Sequence, residues 1–232
     1  MQMIFRDRID AAKKLAEKLE WLKEEDEEEK GEGRREEKSS ILILAIPRGG
    51  VVIGDIISRI LNTKLDVVIS RKIGAPYNPE LAIGAVMPDG SFFPNTEIMN
   101  MLKVSQDYVN AETSIQMKEI ERRLMYYRAG SKEYSNELQN KRVILVDDGI
   151  ATGATILAAA QWIKKKQNCK KLVIAVPLAP RQIMDDLNEV ADKVVVLHSP
   201  LSFEAVGQFY QDFSQVSDNE VKEIMSRHGY QI

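Results

Sequence analysis

The chain has 232 residues, of which 44% are hydrophobic and 29% charged, and its formal net charge is −3. This length builds one large domain or one domain with an insertion, and the near-neutral balance excludes the general footprint of a nucleic-acid-binding protein. A single cysteine, Cys169, excludes an internal disulfide framework, and no apolar run approaches the roughly 20 residues that span a bilayer.

Met1–Arg8 is charged and amphipathic rather than a secretion signal, so a soluble cytoplasmic protein without a membrane partner is expected. Ile4, Phe5, Ile9, Ala12, Leu15, Ala16, Leu19 and Leu22 recur at helical spacing and predict a first amphipathic helix docked on the core. Residues 24–40 are mostly Glu, Lys and Arg with Gly31 and Gly33, which predicts an exposed charged linker whose near end can continue that helix. Ile41–Ile46 reads as a buried strand, followed by Pro47-Arg48-Gly49-Gly50 and a helix from Val51 to Leu61. An arginine at such a strand–loop–helix turn can grip phosphate oxygens bidentately.

Leu65–Ser70 predicts a third strand, and it ends in Arg71-Lys72. Two cations at a strand's carboxyl end, rather than on its solvent face, point to an anion site. The stretch that follows, with Gly74, Pro76 and Pro79, is punctuated as a loop. Ala82–Val86 and Ser91–Phe93 flank Pro88-Asp89-Gly90 and predict a hairpin. Residues 97–135 read as a helical insertion, one long helix or two shorter ones between Glu97 and Arg128, packed on the hairpin or at a dimer interface. Arg122, Arg123 and Arg128 are expected on its solvated face.

Val143–Thr155 is the centre of the chain. Four apolar residues, Val143 to Val146, predict a buried strand, with Asp147 and Asp148 at its carboxyl end. The small-residue loop Ala151-Thr152-Gly153-Ala154-Thr155 then opens a helix through Ile163. The first turn of a helix offers unpaired N–H groups and a positive dipole end, which suit a phosphate. No Gly-Lys-Ser/Thr and no Gly-x-Gly-x-x-Gly is present, so the cradle fits one phosphate. The two carboxylates beside it suit vicinal hydroxyls or a hydrated Mg²⁺. Leu172–Val176 and Lys193–Leu197 predict further strands, with a helix from Pro180 to Val190 between them. Strands alternating with helices imply a parallel sheet covered on both faces. Residues 198–232 read as a tail, aromatic around Phe203, Phe209, Tyr210 and Phe213, with a capping box at Ser217 and Glu220 and two ordinary histidines, His198 and His228.

The strand, the acidic pair and Thr152-Gly153-Ala154-Thr155 resemble the phosphoribosyl diphosphate (PRPP) signature of type I phosphoribosyltransferases. The resemblance runs from about Ile41 to Phe213 in the family's order. It implies an α/β, parallel-sheet type I phosphoribosyltransferase fold with helices on both faces, a flexible flap, and one domain across residues 1–232. It implies a pentosyltransferase of nucleotide salvage that uses PRPP with Mg²⁺, takes a base as acceptor, and forms a homodimer. Asp147 and Asp148 would hold the ribose hydroxyls and, through water or PRPP, the metal; Ala151 to Thr155 would hold the 5′-phosphate. Pro47-Arg48-Gly49-Gly50 resembles the Ser-Arg-Gly-Gly of xanthine-guanine enzymes, so Arg48, Gly49 and Gly50 would carry pyrophosphate, with a strained or cis Arg48–Gly49 peptide. Arg71-Lys72-Ile73-Gly74 resembles the start of the mobile catalytic loop of adenine enzymes, which gives Arg71 and Lys72 the leaving pyrophosphate. Pro200-Leu201-Ser202-Phe203 resembles the hypoxanthine-guanine tail, where Phe203 would stack on the base.

One departure matters. The 6-oxopurine enzymes carry an Asp where this chain has Ala151, so the acceptor and the general base are left open. Three readings stand: an active phosphoribosyltransferase, a non-catalytic PRPP-binding regulator, and an interaction protein that uses the acidic segment.

Overall fold

The computed structural model describes residues 3–30, 40–130, 138–166 and 168–232. In chain order the elements are α1 (Arg8–Glu17), α2 (Glu20–Lys30), β1 (Ile41–Ala45), α3 (Gly49–Leu61), β2 (Lys64–Val67), β3 (Arg71–Ala75), β4 (Asn78–Val86) and β5 (Phe92–Pro94). They continue with α4 (Thr96–Leu102), α5 (Gln106–Arg128), β6 (Arg142–Val146), α6 (Ala154–Lys166), β7 (Lys171–Leu178), α7 (Met184–Val190), β8 (Lys193–His198) and α8 (Asp218–Arg227).

Five strands form a parallel sheet in the order β2-β1-β6-β7-β8. The apolar runs read from the sequence are its centre: every residue of β1 and β6 is buried, as strands covered on both faces require. From the adjacent strands β1 and β6 the chain departs in opposite directions, β1 through α3 to β2 and β6 through α6 to β7. Parallel crossovers are right-handed, so α3 and α6 lie on opposite faces of the sheet. A crevice therefore opens beyond the carboxyl ends of β1 and β6, the usual ligand position in an open α/β sheet.

The predicted first helix is two. Asp7 caps α1 by accepting from Asp10 N at 2.7 Å, so Ile4 and Phe5 stay outside the helix. Phe5 instead bridges to Tyr210, and Ile9 is exposed. At Lys18 and Leu19 the amides bond back to Leu15 and Ala16, which turns the chain while Leu19 and Leu22 remain buried. The near end of the charged stretch is helical. Helix α2 runs to Lys30, and its Asp26 is buried, accepting from Ser40 N at 3.1 Å and facing Arg142 Nη1 at 3.4 Å. Residues 31–39, with both glycines of the expected linker, lie outside the described residues.

The loop expected after Arg71 is an antiparallel hairpin, β3 against β4, extended by β5. Alternation explains it: Ile73 and Ala75 are buried. Gly74 takes the irregular register, where a Cβ would lie 2.5 Å from the Pro79 carbonyl oxygen. The described part of the expected insertion holds two helices, α4 and α5, capped by Asn95 and Ser105, and its residues 131–135 lie outside the described residues. It packs on the hairpin, with Tyr108 OH donating to Gly74 O at 3.0 Å. Arg128 does not face solvent: it forks onto Asp66 at 2.7 and 2.8 Å, and both are buried. The predicted helix from Pro180 begins as a 3-10 turn, Arg181–Ile183, before α7. The Ser217–Glu220 capping box is present. His228 is no ordinary surface group; its Nε2 meets Asp55 Oδ1 at 2.8 Å.

Candidate functional site

The crevice between β1 and β6 is lined by the two loops singled out in the sequence. On one side, Val146 leads into Asp147, Asp148 and the turn before α6. Gly153 there has φ +79°, a left-handed conformation, and a Cβ would fall 1.7 Å from Ile183 Cδ1. Ala151 and Thr152 are exposed, and α6 starts at Ala154, so the helix's first amides face outward beside Thr152 and Thr155. On the other side, Pro47 and Arg48 lead into α3. The cis peptide is Pro47–Arg48, one bond before the expected Arg48–Gly49.

The loops touch because residues 49 and 50 lack side chains. A Cβ on Gly49 would lie 1.7 Å from Asp148 Oδ2, and one on Gly50 would lie 2.9 Å from Asp147 Cα. The structure thus brings Arg48, Gly49, Gly50, Asp147 and Asp148 together, with residues 151–155 adjoining.

The two aspartates differ. Asp147 Oδ1 accepts from the amide of Asp148 at 2.8 Å. Burial, reinforced by the charge of Asp148, pushes its carboxyl well above the usual carboxylate range. Such a group gains from hydroxyl donors or a cation. Asp148 already has a partner: Arg8 Nε donates to its Oδ2 at 2.7 Å. Its carbonyl accepts from Tyr210 OH at 2.7 Å. Arg48 faces Asp218 at 3.5 Å, and Asp218 also meets Arg122 at 3.0 Å and the Tyr127 hydroxyl. That hydroxyl and Arg122 hold the Asp218 carboxyl below its ordinary range against the effect of burial.

Two predicted site residues are not brought to this cluster. Arg71 Nε donates to Gln116 of α5 at 3.0 Å, half-buried, and burial with Arg123 nearby lowers its pKa. Lys72 pairs across the hairpin with exposed Glu80 at 2.9 Å. Successive residues of a strand point to opposite faces, so the two neighbouring cations take different partners here. Phe203 lies by a separate cavity of about 450 Å³, with Ala151, Thr152, Ile183, Asp186 and Glu204. One of its faces is taken by Phe209, 5.5 Å away between ring centres.

Sequence reasoning missed Arg8, Tyr210 and Asp218. Arg8 belongs to a clip between distant segments: Ile4 and Phe5 amides donate to Phe209 O, and Gln211 and Asp212 amides return to Phe5 O and Arg6 O. Its only sequence signal was a cation in the first turn of an amphipathic helix.

These features define a switch-point α/β protein in which an acidic pair and a helix start face an arginine loop. The chain belongs to the phosphoribosyl transferase domain family, which matches residues 8–213. Proteins of two Mycobacterium tuberculosis strains, provisionally named phosphoribosyl transferases, are 35% identical over 224 residues. That alignment covers 97% of this chain and 47% of theirs, so the chain spans about half the length of the curated relatives it matches. The crystal structure of TT1426 from Thermus thermophilus is 36% identical, covers 97% of this chain and 99% of its own, and superposes with a TM-score of 0.77. The expected type I arrangement, a central parallel sheet flanked by helices, is the fold found. Among the described residues no helix is long and apolar enough to cross a membrane.

Proposed function

We propose that the chain transfers a 5-phosphoribosyl group from PRPP to a nucleobase or similar acceptor and releases pyrophosphate. The observation that carries this reading is the meeting of Asp147–Asp148 and the Thr152–Thr155 helix start with the Arg48 loop at the switch point. In this reading the amides and hydroxyls of residues 151–155 hold the 5′-phosphate. Asp147 and Asp148 accept from the ribose hydroxyls, donors that stabilise the charged form of the carboxylates. Arg48 takes an oxygen of the pyrophosphate.

Mg²⁺ fits this donor set in one way. Asp147 and Asp148 offer hard carboxylate oxygens, but among the described residues no three His, Cys, Asp or Glu side chains converge on one point. That suits an ion that keeps its waters and is shared with substrate phosphates. When bound it supplies charge neutralisation of the leaving pyrophosphate. The chain's own part is positioning: holding the phosphate and the ribose still while the C1–O bond breaks, with cations placed where negative charge gathers. The cavity by Phe203 is the acceptor's place, and its Asp186 and Glu204 favour an acceptor that presents N–H donors.

A second reading, a PRPP-binding regulator without turnover, draws support from the ties of Asp148 to Arg8 and of Arg48 to Asp218. Pyrophosphate release from PRPP with Mg²⁺, measured with adenine, hypoxanthine, guanine, xanthine, uracil, orotate and no base, separates the two. Release that depends on one base is expected. Calorimetric PRPP binding without release for any base would favour the regulator, and absence of PRPP binding would overturn both.

A further inference from the structure

Two arginines line one cavity of about 390 Å³ at the mouth of the crevice, Arg48 from the loop before α3 and Arg8 from the first turn of α1, with Gly49, Asp148, Val206 and Phe213 around them. Arg8 is held with care for a residue whose place in sequence is remote from the motif. Its guanidinium carbon lies 3.9 Å over the Phe213 ring centre, Nη1 donates to Ser214 O at 2.8 Å, and Nε donates to Asp148 at 2.7 Å. The side chain is only 11% exposed, so its charge is largely desolvated and directed at the site.

A guanidinium has five N–H donors in a rigid fork, and the two protein oxygens do not exhaust them. Its carboxylate partner is also the group assigned to the ribose hydroxyls. When Asp148 turns to that task, Arg8 keeps its stacking on Phe213 and its bond to Ser214 but loses its counter-ion. The cavity then presents two guanidiniums, from α1 and from the Arg48 loop. That is the complement of a compact polyanion, which planar guanidiniums bind through paired oxygens. The same geometry supplies the second cation that Arg71 and Lys72, bonded to Gln116 and Glu80, do not bring here.

We propose that Arg8 is a pyrophosphate-binding residue, parked on Asp148 in the free chain and transferred to the pyrophosphate of PRPP when Asp148 engages the ribose. This rests on the PRPP reading above, and it assigns to α1 a part of the site that the phosphate-loop motifs do not contain.

The test is calorimetric binding of three ligands in magnesium buffer, PRPP, pyrophosphate and ribose 5-phosphate, to the wild type, Arg8→Gln and Arg8→Lys. Arg8→Gln is expected to weaken pyrophosphate and PRPP by about tenfold or more, the loss of a charge-assisted contact. Ribose 5-phosphate should stay within about twofold or tighten, because Asp148 is released rather than removed. Arg8→Lys, which keeps the charge and the fold, should recover part of the pyrophosphate affinity. Equal weakening of ribose 5-phosphate and pyrophosphate would reduce Arg8 to a structural prop for Asp148 and overturn the assignment. Wild-type pyrophosphate affinity in Arg8→Gln, with PRPP still bound by the wild type, would overturn it while leaving the PRPP reading intact. A wild type that binds none of the three would overturn that reading itself.

Discussion

Gly49 and Gly50 make a paired experiment, because the same added methyl meets a movable obstacle at one position and a fixed one at the next. In Gly49→Ala the Cβ would sit 1.7 Å from Asp148 Oδ2 and 2.9 Å from Arg8 Nε, both far ends of side chains. The Asp148 carboxylate must swing away and release Arg8. Both groups line the cavity at the crevice mouth, where water reaches them once they part, so stability should change by only about 1 kcal/mol. Binding should change far more. The methyl, rather than the ribose, then dictates where the Asp148 carboxylate sits, and losing its hydrogen bonds to the hydroxyls costs about 1.5–3 kcal/mol, or about 10- to 150-fold in PRPP affinity. In Gly50→Ala the Cβ meets Asp147 Cα at 2.9 Å and Val146 O at 3.0 Å, backbone that cannot rotate aside. Overpacking of that kind costs about 1–3 kcal/mol and should lower Tm by about 2–12 °C in a chain of this size. Calorimetric titration with PRPP and Mg²⁺, beside guanidinium unfolding, reads both variants. Wild-type PRPP affinity in Gly49→Ala, or equal destabilisation of the two, would refute the reasoning.

The buried fork between Asp66 and Arg128 predicts that Asp66→Asn, which takes the carboxylate away from a buried guanidinium, costs about 3–5 kcal/mol in urea unfolding. A loss below about 1 kcal/mol would show that the charge finds water. Asp147 carries the pH dependence. With its folded pKa raised, the folded chain holds a proton that the unfolded chain has released, so this group's contribution to stability falls as pH rises from about 4 through the folded value. Asp147→Asn cannot ionise and should be more stable than wild type at neutral pH, with a flatter stability–pH curve above about pH 4; parallel curves for the two proteins would sink the assignment.

How much the sequence discloses depends on how far apart the partners are. β1, β6 and β7 were legible because strands buried on both faces are continuous apolar runs. The Arg48 and Thr152 loops were legible because a tight approach needs glycine and a helix start needs small or hydroxyl residues. Arg8 was not, since apolar periodicity ignores charged positions and its partner Asp148 lies 140 residues away. Nor was the Asp66–Arg128 fork, whose members are 62 residues apart and, taken singly, read as solvated charge. Arg71 and Lys72 look like one patch in a string of letters, but β3 sends successive side chains to opposite faces and gives them different partners, Gln116 and Glu80.

The clip that ties Phe5 and Arg6 to residues 209–212 sets an order of events during synthesis. Tyr210, which bonds the Asp148 carbonyl, follows it by 62 residues, which takes a ribosome about 3–12 s at about 5–20 residues per second. During that interval the 151–155 loop, β7 and β8 are themselves made, while Arg8 still lacks the Phe213 ring and the Ser214 carbonyl that hold it. Every strand of the sheet thus leaves the ribosome before the segment that closes the mouth of the crevice, and the acidic pair precedes the platform on which its arginine partner rests.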